Sequence, residues 1–198
     1  MNGKGPAHLA EVAPPQDIHK LLDIFTTAGG VIDFVFFELP NPQSVSDYEL
    51  HYTAAVSTLE ALRKRFTLPP ISIQAERAIA RGISVAEFLG AQYDPQKGIK
   101  LYGEMYSYTP TDGYAQSFFE PPYAINSTLT QRGWTDQELF REMNKALFND
   151  FEALSICEWS TDWSSYFDAG KEWWGAHLCT VANPTRNLLI GIGASSTD

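Results

Sequence analysis

Apolar residues recur along this chain with two periods. Ile18, Leu21, Leu22 and Phe25 fall at helical spacing, and Gly29-Gly30 stops that helix before the β-rich run VIDFVFFEL from Val31 to Leu39, which predicts a strand. Three capping boxes mark further helix starts, each a hydroxyl followed three residues later by glutamate: Ser46 with Glu49, Ser84 with Glu87, and Thr135 with Glu138. The first opens a helix to about Phe66, in which Leu50, Ala54, Leu59 and Leu62 face a core. Arg63, Lys64 and Arg65 occupy its last turn, where cations complement the helix dipole. Pro69-Pro70 breaks the chain, and two short helices are expected around Gly82.

From Ile99 the period is two, with Leu101, Gly103 and Met105 on one side and Tyr102, Glu104 and Tyr106 on the other, as in a half-buried strand. Residues 109–133 read as a long loop. The helix opened by Thr135 places Leu139, Phe140, Met143, Leu147 and Phe151 on one side. Strands are expected at about 154–160, 173–182 and 188–194, the last two joined into a hairpin by Asn183-Pro184-Thr185-Arg186-Asn187. Residues 1–15 read as a loose tail and 16–198 as one α+β domain, with helices packed on a mainly antiparallel sheet.

The picture changes with charge. Of 198 residues, 24 are Asp or Glu and 14 Lys or Arg, and the imbalance is local: residues 1–100 hold 9 basic against 11 acidic, residues 101–198 hold 5 against 13. A field of that sign repels phosphate backbones and anionic membranes and speeds encounter with basic partners. Neither nucleic acid nor membrane is an expected partner. The lack of a basic-then-apolar start and of any apolar run near a span's length predicts a soluble, cytoplasmic protein.

Between Asp150 and Trp174, six carboxylates and one lysine are interleaved with seven aromatic rings, four of them tryptophans. Acids dispersed among rigid aromatics make either a core strand with a solvated edge or a surface that grips something basic. For the second case the expected contacts are Asp162, Trp163, Tyr166, Asp168 and Glu172, extended by Tyr102, Glu104 and Tyr106.

Catalytic and metal signals are weak. His8, His19, His51 and His177 have no ligand spacing, so no metal or other cofactor is expected. His177 and Cys179 share one strand face and could form a thiol–imidazole nucleophile pair, although core packing gives the same spacing. Asp162, Asp168 and Glu172 among tryptophans could serve a glycosidase. The cysteines, 157 and 179, read as buried thiols, and Gly191 and Gly193 as strand glycines permitting close approach.

The series Tyr166-Phe167-Asp168-Ala169-Gly170-Lys171-Glu172-Trp173-Trp174-Gly175, followed by two strands and Ile192-Gly193-Ala194-Ser195-Ser196-Thr197-Asp198, resembles the C-terminal block of small uncharacterised bacterial proteins. Small, acidic proteins of this type resemble immunity proteins that neutralise a toxin. The resemblance implies an inhibitory protein acting on a basic toxin through an acidic-aromatic surface; a small hydrolase is the alternative reading of the residues.

Overall fold

A computed structural model of the chain describes residues 8–40, 47–67, 69–90, 93–94, 98–99, 113–119, 133–173 and 176–195. In chain order the elements are α1 (Gln16–Thr27), β1 (Asp33–Glu38), α2 (Tyr48–Arg65), β2 (Ala80–Gly82), α3 (Val85–Leu89), β3 (Tyr93–Asp94), β4 (Gly98–Ile99), α4 (Gly113–Phe119), α5 (Asp136–Leu147), β5 (Ser155–Trp159), α6 (Asp168–Trp173), β6 (Ala176–Asn183) and β7 (Leu188–Ser195). The fold is α+β. Its main sheet is antiparallel throughout, in the order β1-β7-β6-β5-β2, with β6 and β7 as the expected hairpin.

Side-chain alternation along the strands explains why this sheet has no solvated face. Phe34, Phe36, Ile156, Cys179, Val181, Ile190 and Ile192 point to one side, where they meet Phe25 of α1, Phe88 of α3, Phe118 of α4 and Phe140 of α5. Val35, Phe37, Trp159, Leu178, Ala182 and Leu189 point to the other, against Ala54, Ala55, Leu59 and Leu62 of α2 and against Trp163 and Phe167. With helices on both faces, β6 and β7 read as nearly unbroken apolar runs. That pattern is commoner in parallel sheets but follows from burial whatever the strand direction.

Two of the capping boxes form as expected. Ser84 and Thr135 each accept from the backbone N–H of the glutamate three residues on, whose carboxylate returns the bond. At α2 the cap is Asp47, which accepts from Glu49 N at 3.0 Å. Buried Asn183 ties the hairpin to α5: its Nδ2 donates to the carbonyls of Leu147 and Phe148, while its Oδ1 accepts from Thr185 and Arg186. The end of a helix and the start of a turn thereby satisfy their polar groups on one side chain.

Several expectations are corrected. Residues 8–15 are not a free tail. Val12 N donates to Phe36 O at 2.8 Å, Leu9 N donates to Ser57 Oγ at 2.9 Å, and Glu11 bridges to Phe37, so this strap protects the outer edge of β1. Two short helical elements do flank Gly82, a 3-10 helix at Ala75–Arg77 and α3, and what differs is that Gly82 itself ends the short strand β2. The 109–133 segment contains α4, placed by ring stacking of Tyr114 on Phe88 at 5.1 Å. Trp173 ends α6, and the strand begins at Ala176. Most of the strand expected from Ile99 lies outside the described residues; Ile99 itself pairs with Tyr93 in the two-stranded β3–β4 sheet. Among the described residues no helix is long and apolar enough to cross a membrane.

Candidate partner-binding surface

Among the described residues of the acidic stretch, Trp159, Trp163 and Phe167 turn inward. Trp159 is 2% exposed on the α2 side of β5 and donates from Nε1 to Thr180 Oγ1 at 2.9 Å. Trp163, expected as a contact because its neighbours are polar, is 1% exposed. The chain doubles back after β5, and a bridge from Ile73 to Ser164 with the bond from Gln74 N to Trp163 O holds the turn over the sheet end. Asp162 takes the outside of that turn and the indole the inside, where Nε1 donates to Ser160 O at 2.6 Å. Trp163 is therefore a core residue.

Tyr166 is half-buried, and its hydroxyl donates to Asp33 Oδ2 at 2.6 Å. Asp162 and Asp168 are exposed. Asp162 pairs with Arg77 at 3.2 Å, and the Ser160 hydroxyl beside it holds its carboxyl below the usual range. Asp168 sits in the first turn of α6. Tyr102, Glu104 and Tyr106, and the side chain of Glu172, lie outside the described residues.

An acidic-aromatic surface nevertheless exists, built from residues the sequence reading passed over. At the start of α2, Tyr48 and Tyr52 are one turn apart and stack with ring centroids 6.3 Å apart and planes 12° from parallel. Both lean on Trp159, at 5.9 and 6.0 Å, and Trp163 backs Trp159 at 6.5 Å. Tyr48 is 49% exposed, and Tyr52 donates its hydroxyl to Ala75 O at 3.2 Å. The Tyr52 phenol is pushed up, first by burial and then by Tyr48 and the nearby carboxylates of Glu49 and Glu76. Arg77, next to Glu76, carries the ion pair to Asp162, so one acid of the expected set borders this surface.

The base is rigid for a specific reason. His51, fully buried on the same helix, bonds Thr180 Oγ1 through Nδ1 at 2.8 Å and Ser155 Oγ through Nε2 at 3.2 Å, fastening α2 to β6 and β5. Aromatic rings on a fixed support lose little conformational freedom on binding, and a carboxylate rim selects a cationic partner. The sequence signal was the heptapeptide from Asp47 to Thr53, with tyrosines four apart just inside a helix start.

The hydrolytic arrangements fare differently. His177 and Cys179 do face the same side, but burial pushes the Cys179 thiol far up and the His177 imidazole down to about 4. Neither thiolate nor imidazolium is favoured there, the reverse of an activated pair. His177 Nδ1 bonds Ser117 Oγ at 3.2 Å instead. Cys157 points to the opposite face of the sheet from Cys179, and both are free thiols. Among the described residues no group of three His, Cys, Asp or Glu side chains is placed to hold a metal ion. Compared with known proteins, the chain matches no family profile, no curated protein and no solved structure.

Proposed function

We propose that this chain is a binding protein of immunity type, which neutralises a basic protein partner in the cytoplasm by occupying its surface rather than by turnover. The observation that carries the reading is Tyr48, a half-exposed ring held on Trp159 and stacked on Tyr52, whose phenol feels the carboxylates of Glu49 and Glu76. An anchor of this kind supplies affinity at its centre, and the carboxylates supply steering and selectivity for a cation-rich face. The excess of acids in the second half of the chain and the resemblance of residues 166–198 to small bacterial proteins of this type agree with it.

The test is a partner isolated with the full chain as bait and then titrated against variants. Tyr48→Ala is expected to weaken binding at least about tenfold, the usual scale of a hot-spot truncation. The double charge reversal Glu49→Lys/Glu76→Lys is expected to slow association and to flatten its dependence on salt. A partner that binds all three proteins alike would remove this surface from consideration.

A further inference from the structure

Along the outer edge of β1, beneath the strap of residues 8–14, runs a crevice of ≈ 270 Å³. It is distinct from the Tyr48 surface, and its floor and rim come from four parts of the chain that lie far apart in sequence. Leu22, Ile32, Phe34 and Phe36 give it apolar walls, and its charged groups are Glu11, His19, Asp23, Asp33 and Arg65. Its volume lies just below the range of roughly 300–1,000 Å³ typical of small-molecule sites.

The charges there do not cancel. Arg65 is tied to Glu11 and donates to Phe34 O at 3.2 Å. His19 sits 3.3 Å from Asp23, one helical turn away on α1. The Arg65–Glu11 pair compensates within itself. Asp33 is left over: it is mostly buried, no ion-pair partner contacts it among the described residues, and its hydrogen-bond donor is the neutral phenol of Tyr166. That phenol is aimed deliberately by the fold. Asp33 stands opposite Gly193 in the β1–β7 ladder, and a side chain at Gly193 would crowd the Tyr166 hydroxyl at 3.3 Å, so the glycine admits the ring that reaches across to the acid.

We propose that this crevice binds a small organic cation, a primary alkylammonium group whose charge meets Asp33 on the α2 side of β1 and whose short carbon chain runs across the open strand edge toward Leu22 and Phe34. An ammonium fits better than a guanidinium because Tyr166 already occupies Oδ2, so the carboxylate does not offer the two open oxygens that a planar fork engages. Burial raises the Asp33 carboxyl, with Tyr166 and then Arg65 opposing, and an ammonium in contact would lower it again. The same chemistry is carried by a free amine and by a lysine side chain of another protein.

The experiment is a titration of the isotope-labelled full chain with n-butylammonium, followed by backbone amide NMR. Saturable shifts are expected at residues 11–14, 19–26 and 32–36, with n-butanol and butyrate at least tenfold weaker and n-butylguanidinium weaker than the amine. Asp33→Asn should weaken butylammonium at least tenfold. Arg65→Gln, which removes the nearest fixed cation, should strengthen it severalfold and keeps the test decisive if the Asn variant does not fold. A blocked lysine tripeptide that shifts the same amides makes the crevice a lysine pocket, and silence from it makes the site one for free amines; both outcomes support the assignment. Equal response to butanol or butyrate, absence of saturation, or an unchanged affinity in both variants overturns it.

Discussion

The side chain of Thr58 on α2 occupies the space that a Cβ at Gly191 of β7 would need, so helix and sheet meet at backbone distance. Thr58 Oγ1 also donates to Ala54 O at 2.7 Å, which fixes the rotamer and leaves it no room to yield. Gly191→Ala is expected to destabilise the protein by about 1–3 kcal/mol, the scale of overpacking a filled core. Urea denaturation of the single variants and of Gly191→Ala/Thr58→Ala checks it, because the cost should shrink when Thr58 is already truncated. Strictly additive losses would place the strain elsewhere.

Asn144 on α5 is 2% exposed, and among the described residues neither its Nδ2 nor its Oδ1 has a hydrogen-bond partner. A buried amide in that condition carries an uncompensated desolvation cost of about 1–3 kcal/mol. Asn144→Leu keeps the branched shape, removes both polar atoms and improves helix propensity. The expected result is a rise in Tm of several degrees at a scale of roughly 2–4 °C per kcal/mol. A lowered Tm would mean that an ordered water satisfies the amide.

His177 makes stability depend on pH in a defined window. Its residue keeps some exposure, yet among the described residues Nε2 is sealed without a partner, and burial brings the folded pKa down to about 4, from 6.5 in the unfolded chain. Above pH 6.5 both states are neutral and nothing changes. Between 6.5 and 4 the unfolded chain takes up a proton that the folded one refuses, so stability falls with falling pH. The contribution at pH 4.5 is on the order of 2 kcal/mol. Unfolding free energies of the native chain and of His177→Leu at pH 7 and 4.5 isolate it: the variant should lose less, by about that amount. Equal losses would show that the imidazole is protonated in the folded state.

The elements legible in the sequence are those in which local signals and burial agree. Thr135 with Glu138 caps α5, the helical spacing of Leu139, Phe140, Met143 and Leu147 is the face that packs, and Pro184 to Asn187 turns β6 into β7. Polar neighbours are a poor guide to Trp163, because the turn carries Asp162 outward while it buries both Trp163 and the polar Ser164 beside it. The segment GYAQSFF of α4 carries no capping box, and its helix is held by Tyr114 and Phe118 stacking on Phe88 and Phe25, contacts from distant sequence. The Tyr48 surface was visible as a pair of tyrosines four apart, but its meaning depends on Trp159 lying beneath, which only the pairing of β5 with β2 and β6 establishes.

The link from Tyr166 to Asp33 yields the last prediction. Burial is the main reason that the Asp33 carboxyl sits above its usual range, and the phenol works against that by donating to the charged form. A folded pKa raised above the unfolded value means that the native state holds its proton longer. Stability is therefore greatest below the unfolded value of 3.8 and declines as pH rises through the folded pKa. Removing the hydroxyl in Tyr166→Phe deletes the bond to the carboxylate and leaves the burial, so the Asp33 pKa should rise further. The variant should lose roughly 1.5–3 kcal/mol at pH 7, the scale of a hydrogen bond to a charged group. The loss should be smaller near pH 3.5, where Asp33 is protonated in both proteins. A carboxyl-carbon NMR titration of Asp33 gives the shift directly, and denaturation at the two pH values gives its energetic consequence. An Asp33 pKa that stays in place would sever the phenol from the acid, while a loss equal at both pH values would assign Tyr166 a packing role over Gly193 alone.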